Sequence, residues 1–172
     1  MFPIIQEIVW VNLAREEITP FILEALIQTA IDNGVGSAQA EVAANIAVSL
    51  ASRNVHAIAG KVISRLRRAI SNSAKKPTFN MLDHASTPEI QILVRFVLAL
   101  SFNNYLLIDQ FLAELFHIVS MLAGRGSLLI RSTIHGIVVN IVQSLCTRGD
   151  LSEIKQSTLK VILANFAEVY IS

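Results

Sequence analysis

Four histidines, a pair of glutamates, one cysteine and a short basic run are the side chains of this sequence suited to chemistry. His56, His84, His117 and His135 stand singly on different segments, whereas a metal centre needs several His, Cys, Asp or Glu at ligand spacing. His117 and His135 fall inside an apolar stretch, where a hydrogen-bonded core histidine is the simplest reading. Glu16-Glu17 could do paired acid–base work only in a pocket that the sequence does not announce, and a solvated helix end explains it as well. Cys146 is the single cysteine, which excludes an internal disulfide and a multi-cysteine zinc site. It fits a reducing compartment and reads as a small buried apolar residue at a helix end. No glycine-rich phosphate loop or nucleophile elbow is present. The residues therefore give no catalytic, cofactor or metal site.

The basic run is the one charged feature above background. Lys61, Arg65 and Arg68 lie at i, i+4 and i+7 and so share a helix face, with Arg67, Lys75 and Lys76 close by. Such a stripe could contact an acidic protein partner or an anionic membrane. As a solvated face it would serve solubility alone, the commoner role of charge runs. A formal net charge of +1 does not suit a general nucleic-acid binder, and no nucleic-acid partner is expected.

The elements that carry these residues read as helices. The central stretch, Leu98 to Thr147, holds two apolar helices joined at Gly124-Arg125-Gly126. Ile108, Phe111, Leu112, Leu115, Ile118, Val119 and Leu122 recur at three- and four-residue steps, one stripe of a helix. Phe102, Leu106, Leu107, Phe116 and Met121 widen the apolar arc, which predicts burial on more than one side. Gly124 is placed to end that helix in a left-handed conformation. The next helix carries Ile130, Ile134, Ile137, Val138, Ile141, Val142 and Leu145, with Arg131, Asn140, Gln143 and Ser144 as its few polar residues. A short turn makes the two antiparallel, a doubly covered central hairpin.

Around it, Pro3 opens a first short helix with Ile4, Ile5, Ile8, Val9 and Leu13. Thr19-Pro20 signals a second start, with Phe21, Leu23, Ile27 and Ile31 on the helix and Asn33-Gly34 at its end. Ser37 caps a third, with Val42, Ala43, Ile46, Ala47 and Leu50 inward. Asn54 caps a fourth, with Val55, Ile58, Val62, Ile63, Leu66 and Ile70. Residues 71–87 are polar and contain a proline, which predicts a loop. Thr87-Pro88-Glu89 restarts helix, with Ile90, Ile92, Leu93, Phe96, Val97 and Leu100 inward. Asp150-Leu151-Ser152-Glu153 has capping-box spacing before a last helix that holds Leu159, Ile162, Leu163, Phe166, Val169 and Tyr170.

The expectation is an all-α, HEAT/armadillo-like α-solenoid segment of about eight helices spanning 1–172 as a single repeat segment, with an internal loop at 71–87. Helix–turn–helix units recur every 35 to 45 residues or so, although no sequence repeat is visible, and a compact irregular bundle is the competing architecture. Hydrophobic residues make up 53% of the chain and charged ones 16%, apolar for a chain of this size. No uninterrupted apolar run approaches the roughly 18 residues of a membrane span, and the first residues lack a basic signal-peptide region. The apolar surplus fits a segment whose ends meet neighbouring repeats. Phe2, Ile4, Ile5, Ile8 and Trp10 at one end, and Phe166, Val169, Tyr170 and Ile171 at the other, predict self-association through the ends.

Several stretches are longer and more idiosyncratic than helix periodicity requires: GVGSAQAEVAANIAVSLASRNV (34–55), KVISRLRRAI (61–70), LALSFNN (98–104) and STIHGIVVNIVQSLCT (132–147). In them the chain resembles the neurofibromin family of large Ras GTPase-activating proteins, in the helical-repeat region C-terminal to the catalytic and lipid-exchange segments. The resemblance is weaker over MFPIIQEIVW and weakest after Arg148. It implies a non-catalytic, cytoplasmic scaffold that contributes to assembly and dimerisation of a Ras regulator. The family's catalytic domain supplies an arginine finger; nothing here resembles that domain, so no arginine takes that role and no enzyme activity is expected. The alternative from a different class is an independent helical adaptor that uses Lys61, Arg65 and Arg68 to hold an acidic protein or an anionic membrane.

Overall fold

The computed structural model describes residues 18–75, 84–124 and 126–147, together with the isolated helical positions Ser157, Lys160, Val161 and Ala164. The described residues form six α-helices and no strand: α1 Thr19–Asn33, α2 Ala38–Ala51, α3 Val55–Lys75, α4 Thr87–Ser101, α5 Tyr105–Leu122 and α6 Leu128–Thr147. The expected first helix (4–13) lies outside the described residues, as does most of the expected last one (151–170).

Short, side-chain-capped turns set the alternation of direction. Asn33-Gly34 ends α1, with Gly34 at φ 83° and its N–H donating to the carbonyls of Ala30 and Ile31, a backbone state that costs glycine little. Ser37 Oγ then accepts from the Ala40 N–H at 3.1 Å. Asn54 caps α3 by accepting from Ala57 N–H at 3.0 Å, and Asn104 caps α5 through Leu107 N–H at 3.2 Å. Ser127 does the same for α6 through Ile130 N–H, at 3.2 Å. Each cap satisfies one of the orphan donors at a helix start.

The helices pack in two layers. α1 stacks on α3 and α3 on α5; α2 stacks on α4 and α4 on α6; each helix also packs on the next in the chain. Burial repeats within each layer. Ala40, Ala43, Ala44, Ala47, Leu50 and Ala51 of α2 are buried. So are Ile90, Leu93, Val94, Val97, Leu100 and Ser101 of α4, and Ile134, Ile137, Val138, Ile141, Ser144 and Leu145 of α6. All three sets follow i, i+3, i+4, i+7, i+10, i+11, one stripe of a helix. In the other layer Thr19, Leu23, Ile27 and Ala30 correspond to Ile58, Val62, Leu66 and Ala69, and to Leu107, Phe111, Leu115 and Ile118, all buried. The alanines of α2 let its neighbours approach closely, while α4 and α6 fill the positions of Ala40, Ala43, Ala44 and Ala47 with Ile, Leu or Val. A repeat of burial without a repeat of residue type is why no periodicity shows in the letters.

Several expectations change on packing. Among the described residues the packing centre is α4, which touches all five other described helices and buries nine of its 15 residues, more than the central hairpin expectation allowed it. Residues 71–75 are helical: Ile70 is still buried and Ser73 Oγ donates to its carbonyl, so α3 runs into the expected loop. Thr19 and Thr87 are the first helical residues and buried; the N-cap positions fall at Ile18 and Ser86, which make no side-chain cap. Before α6, Gly126 has a positive φ of 124°. Phe21, Val42, Phe102 and Leu106 are exposed, because each layer buries one stripe and leaves the adjacent apolar positions outside. Asn140 and Ser144 are buried instead of polar-side residues. The Asn140 amide donates to Ser101 Oγ at 2.9 Å and to the Leu98 carbonyl at 3.2 Å, across the α4–α6 contact. α5 and α6 are long and apolar enough by length and composition to cross a membrane; here their apolar stripes pack on each other and on α3 and α4.

α5 bends at Phe111, whose φ of −119° is not helical. Its ring lies over Gly60 of α3 and stacks on His56, with centroids 5.4 Å apart. A methyl group at position 60 would meet Phe111 Cζ at 3.4 Å, ordinary van der Waals contact. Gly60→Ala is therefore expected to raise stability by about 0.5–1 kcal/mol, through the backbone entropy glycine loses in a helix interior. Urea melts check this, and a destabilised variant would show that Phe111 needs the bare backbone.

Candidate functional site

The basic residues sit on α3, the middle helix of the α1–α3–α5 layer. With Ile58, Val62, Leu66 and Ala69 buried, helical geometry turns positions 61, 64 and 68 outward, and Lys61, Ser64 and Arg68 are exposed. The structure divides the stripe. Arg65 is turned along the seam between helices, its side chain 11% exposed. Its Nε donates to Glu89 Oε1 of α4 at 2.7 Å, and its Nη1 donates to Glu24 Oε1 of α1. This forked guanidinium ties three helices, a geometry lysine could not supply. Lys61 Nζ lies 3.4 Å from the Pro20 carbonyl. Arg67 and Arg68 are exposed, and the ion pairs of the stripe among the described residues are those of Arg65.

Beside Lys61 a recess of about 270 Å³ opens between the start of α1 and the α2–α3 turn. Leu23, Leu50 and Ile58 form its apolar floor, and Thr19, Arg53, Asn54 and Lys61 stand around it. On the other layer a shallow groove of about 510 Å³ runs over α2, α4 and α6, lined by Val48, Leu98, Phe102 and Val139 among others. Gly136 borders it where Leu98 of α4 crosses α6; a Cβ there would meet Leu98 Cδ1 at 2.8 Å. Neither concavity is visible in the sequence, since both arise where separate helices meet.

The remaining chemistry-bearing side chains are dispersed. Cys146, His117 and His135 are exposed, not core residues. Each is next in sequence to a buried position, Leu145, Ile118 or Ile134, and one residue rotates a side chain about 100° off the buried face. His56 stacks on Phe111, and His84 Nδ1 accepts from the Ser86 N–H at 3.1 Å. Among the described residues no three His, Cys, Asp or Glu side chains cluster so as to hold a metal ion. Glu16-Glu17 lies outside the described residues.

No protein-family model matches the sequence. Over 160 residues, 92% of the chain, it is 26% identical to "Inhibitory regulator protein IRA1" of Saccharomyces cerevisiae (strain ATCC 204508 / S288c). The chain spans 5% of the length of that curated relative. The similarity thus runs through nearly all of this helical array and touches a small part of the yeast regulator.

Proposed function

We propose that this chain is a non-catalytic, HEAT/armadillo-like α-solenoid segment of a neurofibromin-like Ras GTPase-activating protein, acting in the cytoplasm as a scaffold for assembly. The observation that carries this reading is the alignment of 92% of the chain with 5% of a named inhibitory regulator, the relation of a repeat segment to a large protein. The two-layer stacking supports the solenoid. Its substantial helix pairings reach at most three helices along the chain, the local connectivity that lets such arrays extend by adding units. Partners on this reading are neighbouring repeats and further copies of the chain, and regulation of Ras belongs to the parent protein.

The test is a single-turnover GTP hydrolysis assay with Ras. The chain alone is expected to leave the rate unchanged, whereas a full activator accelerates it by about five orders of magnitude. Acceleration abolished by a single arginine substitution would overturn the scaffold reading. Sedimentation velocity across a dilution series tests assembly, with concentration-dependent association expected and a monomer at every concentration counting against it.

A further inference from the structure

The α1–α3 corner combines two features that a merely solvated basic face does not need to combine. One is the recess of about 270 Å³ with an apolar floor of Leu23, Leu50 and Ile58, which has room for one aliphatic or aromatic side chain. The other is the set of cations beside it. Arg53 and Lys61 line the recess, and Arg68 stands two turns further along α3 on the face of Lys61. Glu24 and Glu89 both bond to Arg65, a triad of net charge −1 beside the three cations Arg53, Lys61 and Arg68, so the face keeps a positive excess. Lys61, Arg53 and Arg68 are exposed and present positive charge to the solvent.

We propose that this corner docks an acidic peptide segment of a partner protein, with one apolar anchor side chain in the recess and carboxylates on Arg53, Lys61 and Arg68. The cations form a narrow strip. The helix that packs against α3 on one side of the strip brings an acid there, Glu24 of α1, which bonds to Arg65 and stays 53% exposed. A flat anionic membrane engages a broad area, in which that exposed carboxylate counts against it. A peptide lying along α3 meets the strip and not its flanks, and complementary charge of this kind sets both register and encounter rate. The apolar floor supplies the buried centre that charge contacts at a rim do not. This inference stands apart from the scaffold reading, since the corner would dock such a segment whatever larger protein carried it.

The probe is a short fluorescein-labelled peptide of glutamate, alanine and a single central leucine, titrated with the full chain and followed by fluorescence anisotropy. It is expected to bind at low salt and to weaken toward about 0.15 M ionic strength as screening grows. The double variant Lys61→Glu/Arg68→Glu should lose at least about tenfold in affinity, roughly 1.4 kcal/mol. The charge-matched control Arg131→Glu/Lys160→Glu, at exposed positions outside α3 and the recess, should change it less than about twofold. Ala57→Trp, which obstructs the recess from its rim, and a probe with alanine for leucine should each weaken binding without any change of charge on the chain. Circular dichroism confirms that each variant is folded. The proposal is overturned by no binding, by equal loss in the control, or by indifference to both recess tests. It is equally overturned if phosphatidylcholine vesicles with about one-third phosphatidylserine capture the chain while the peptide does not.

Discussion

Ile134→Ala is expected to destabilise the chain by about 2–5 kcal/mol, enough to consume a large part of the stability of a typical domain. Ile134 is fully buried and is the first shared position of the burial register that α6 has in common with α2 and α4. Truncation removes the transfer energy of three carbons and leaves a void that the neighbours fill only in part. Ile141, one position of the same stripe further along, is 1% exposed and belongs to the same range. Gln143 lies on the outer side of the same helix and is exposed, and Gln143→Ala should stay within about 0.5 kcal/mol, as surface changes do. Denaturant melts of the three variants decide whether α6 faces the way described; equal losses would mean that it does not.

Arg65 and its two carboxylates should respond asymmetrically, depending on which side of the pair is removed. Glu24 and Glu89 keep substantial solvent contact, with side-chain exposures of 53% and 31%, whereas that of Arg65 is 11% exposed. Arg65→Met keeps an unbranched apolar stem along the seam and frees two carboxylates that water can solvate again. That change is expected to cost no more than about 1 kcal/mol, since apolar replacement of a largely buried ion is often near neutral. Glu24→Gln/Glu89→Gln leaves a largely buried guanidinium without a charged partner. The expected cost is about 1–3 kcal/mol, below the full penalty for a deeply buried pair because the site is partly open. Combining all three substitutions should recover most of that loss. Thermal melts of the Met variant, the Gln pair and the triple variant form a cycle, and additive losses would show that Arg65 is not coupled to either acid.

The proline starts, the Asn33-Gly34 stop, the Ser37 and Asn54 caps and the apolar stripes at three- and four-residue steps are local features, and each was legible in the residues alone. They depend on hydrogen bonds and rotations spanning one helical turn, so an all-helical chain and most of its boundaries follow without reference to any other part of the molecule. The identity of α4 as the packing centre was not legible, because its stripe looks no stronger than those of α5 and α6 until five neighbours are placed around it. The exposure of Phe21, Val42, Phe102 and Leu106 was hidden for a related reason. An apolar residue beside a stripe goes in or out according to the width of the neighbour's contact, which composition does not encode.

The candidate site divides along the same line. That Lys61, Arg65 and Arg68 share a helix face is a property of spacing. That Arg65 is withdrawn between Glu24 and Glu89 while Lys61 and Arg68 stay in water depends on two carboxylates 41 and 24 residues away in the chain. Asn140 likewise reads as a polar-side residue of α6 until Ser101 and the Leu98 carbonyl arrive opposite it. Which segments are helical, and where most of them begin, follows from the order of residues, since those energies act within a turn or two. Which charges are paired, which polar groups are buried and where a recess opens follow from packing, because each needs groups from separate helices within hydrogen-bond or van der Waals distance.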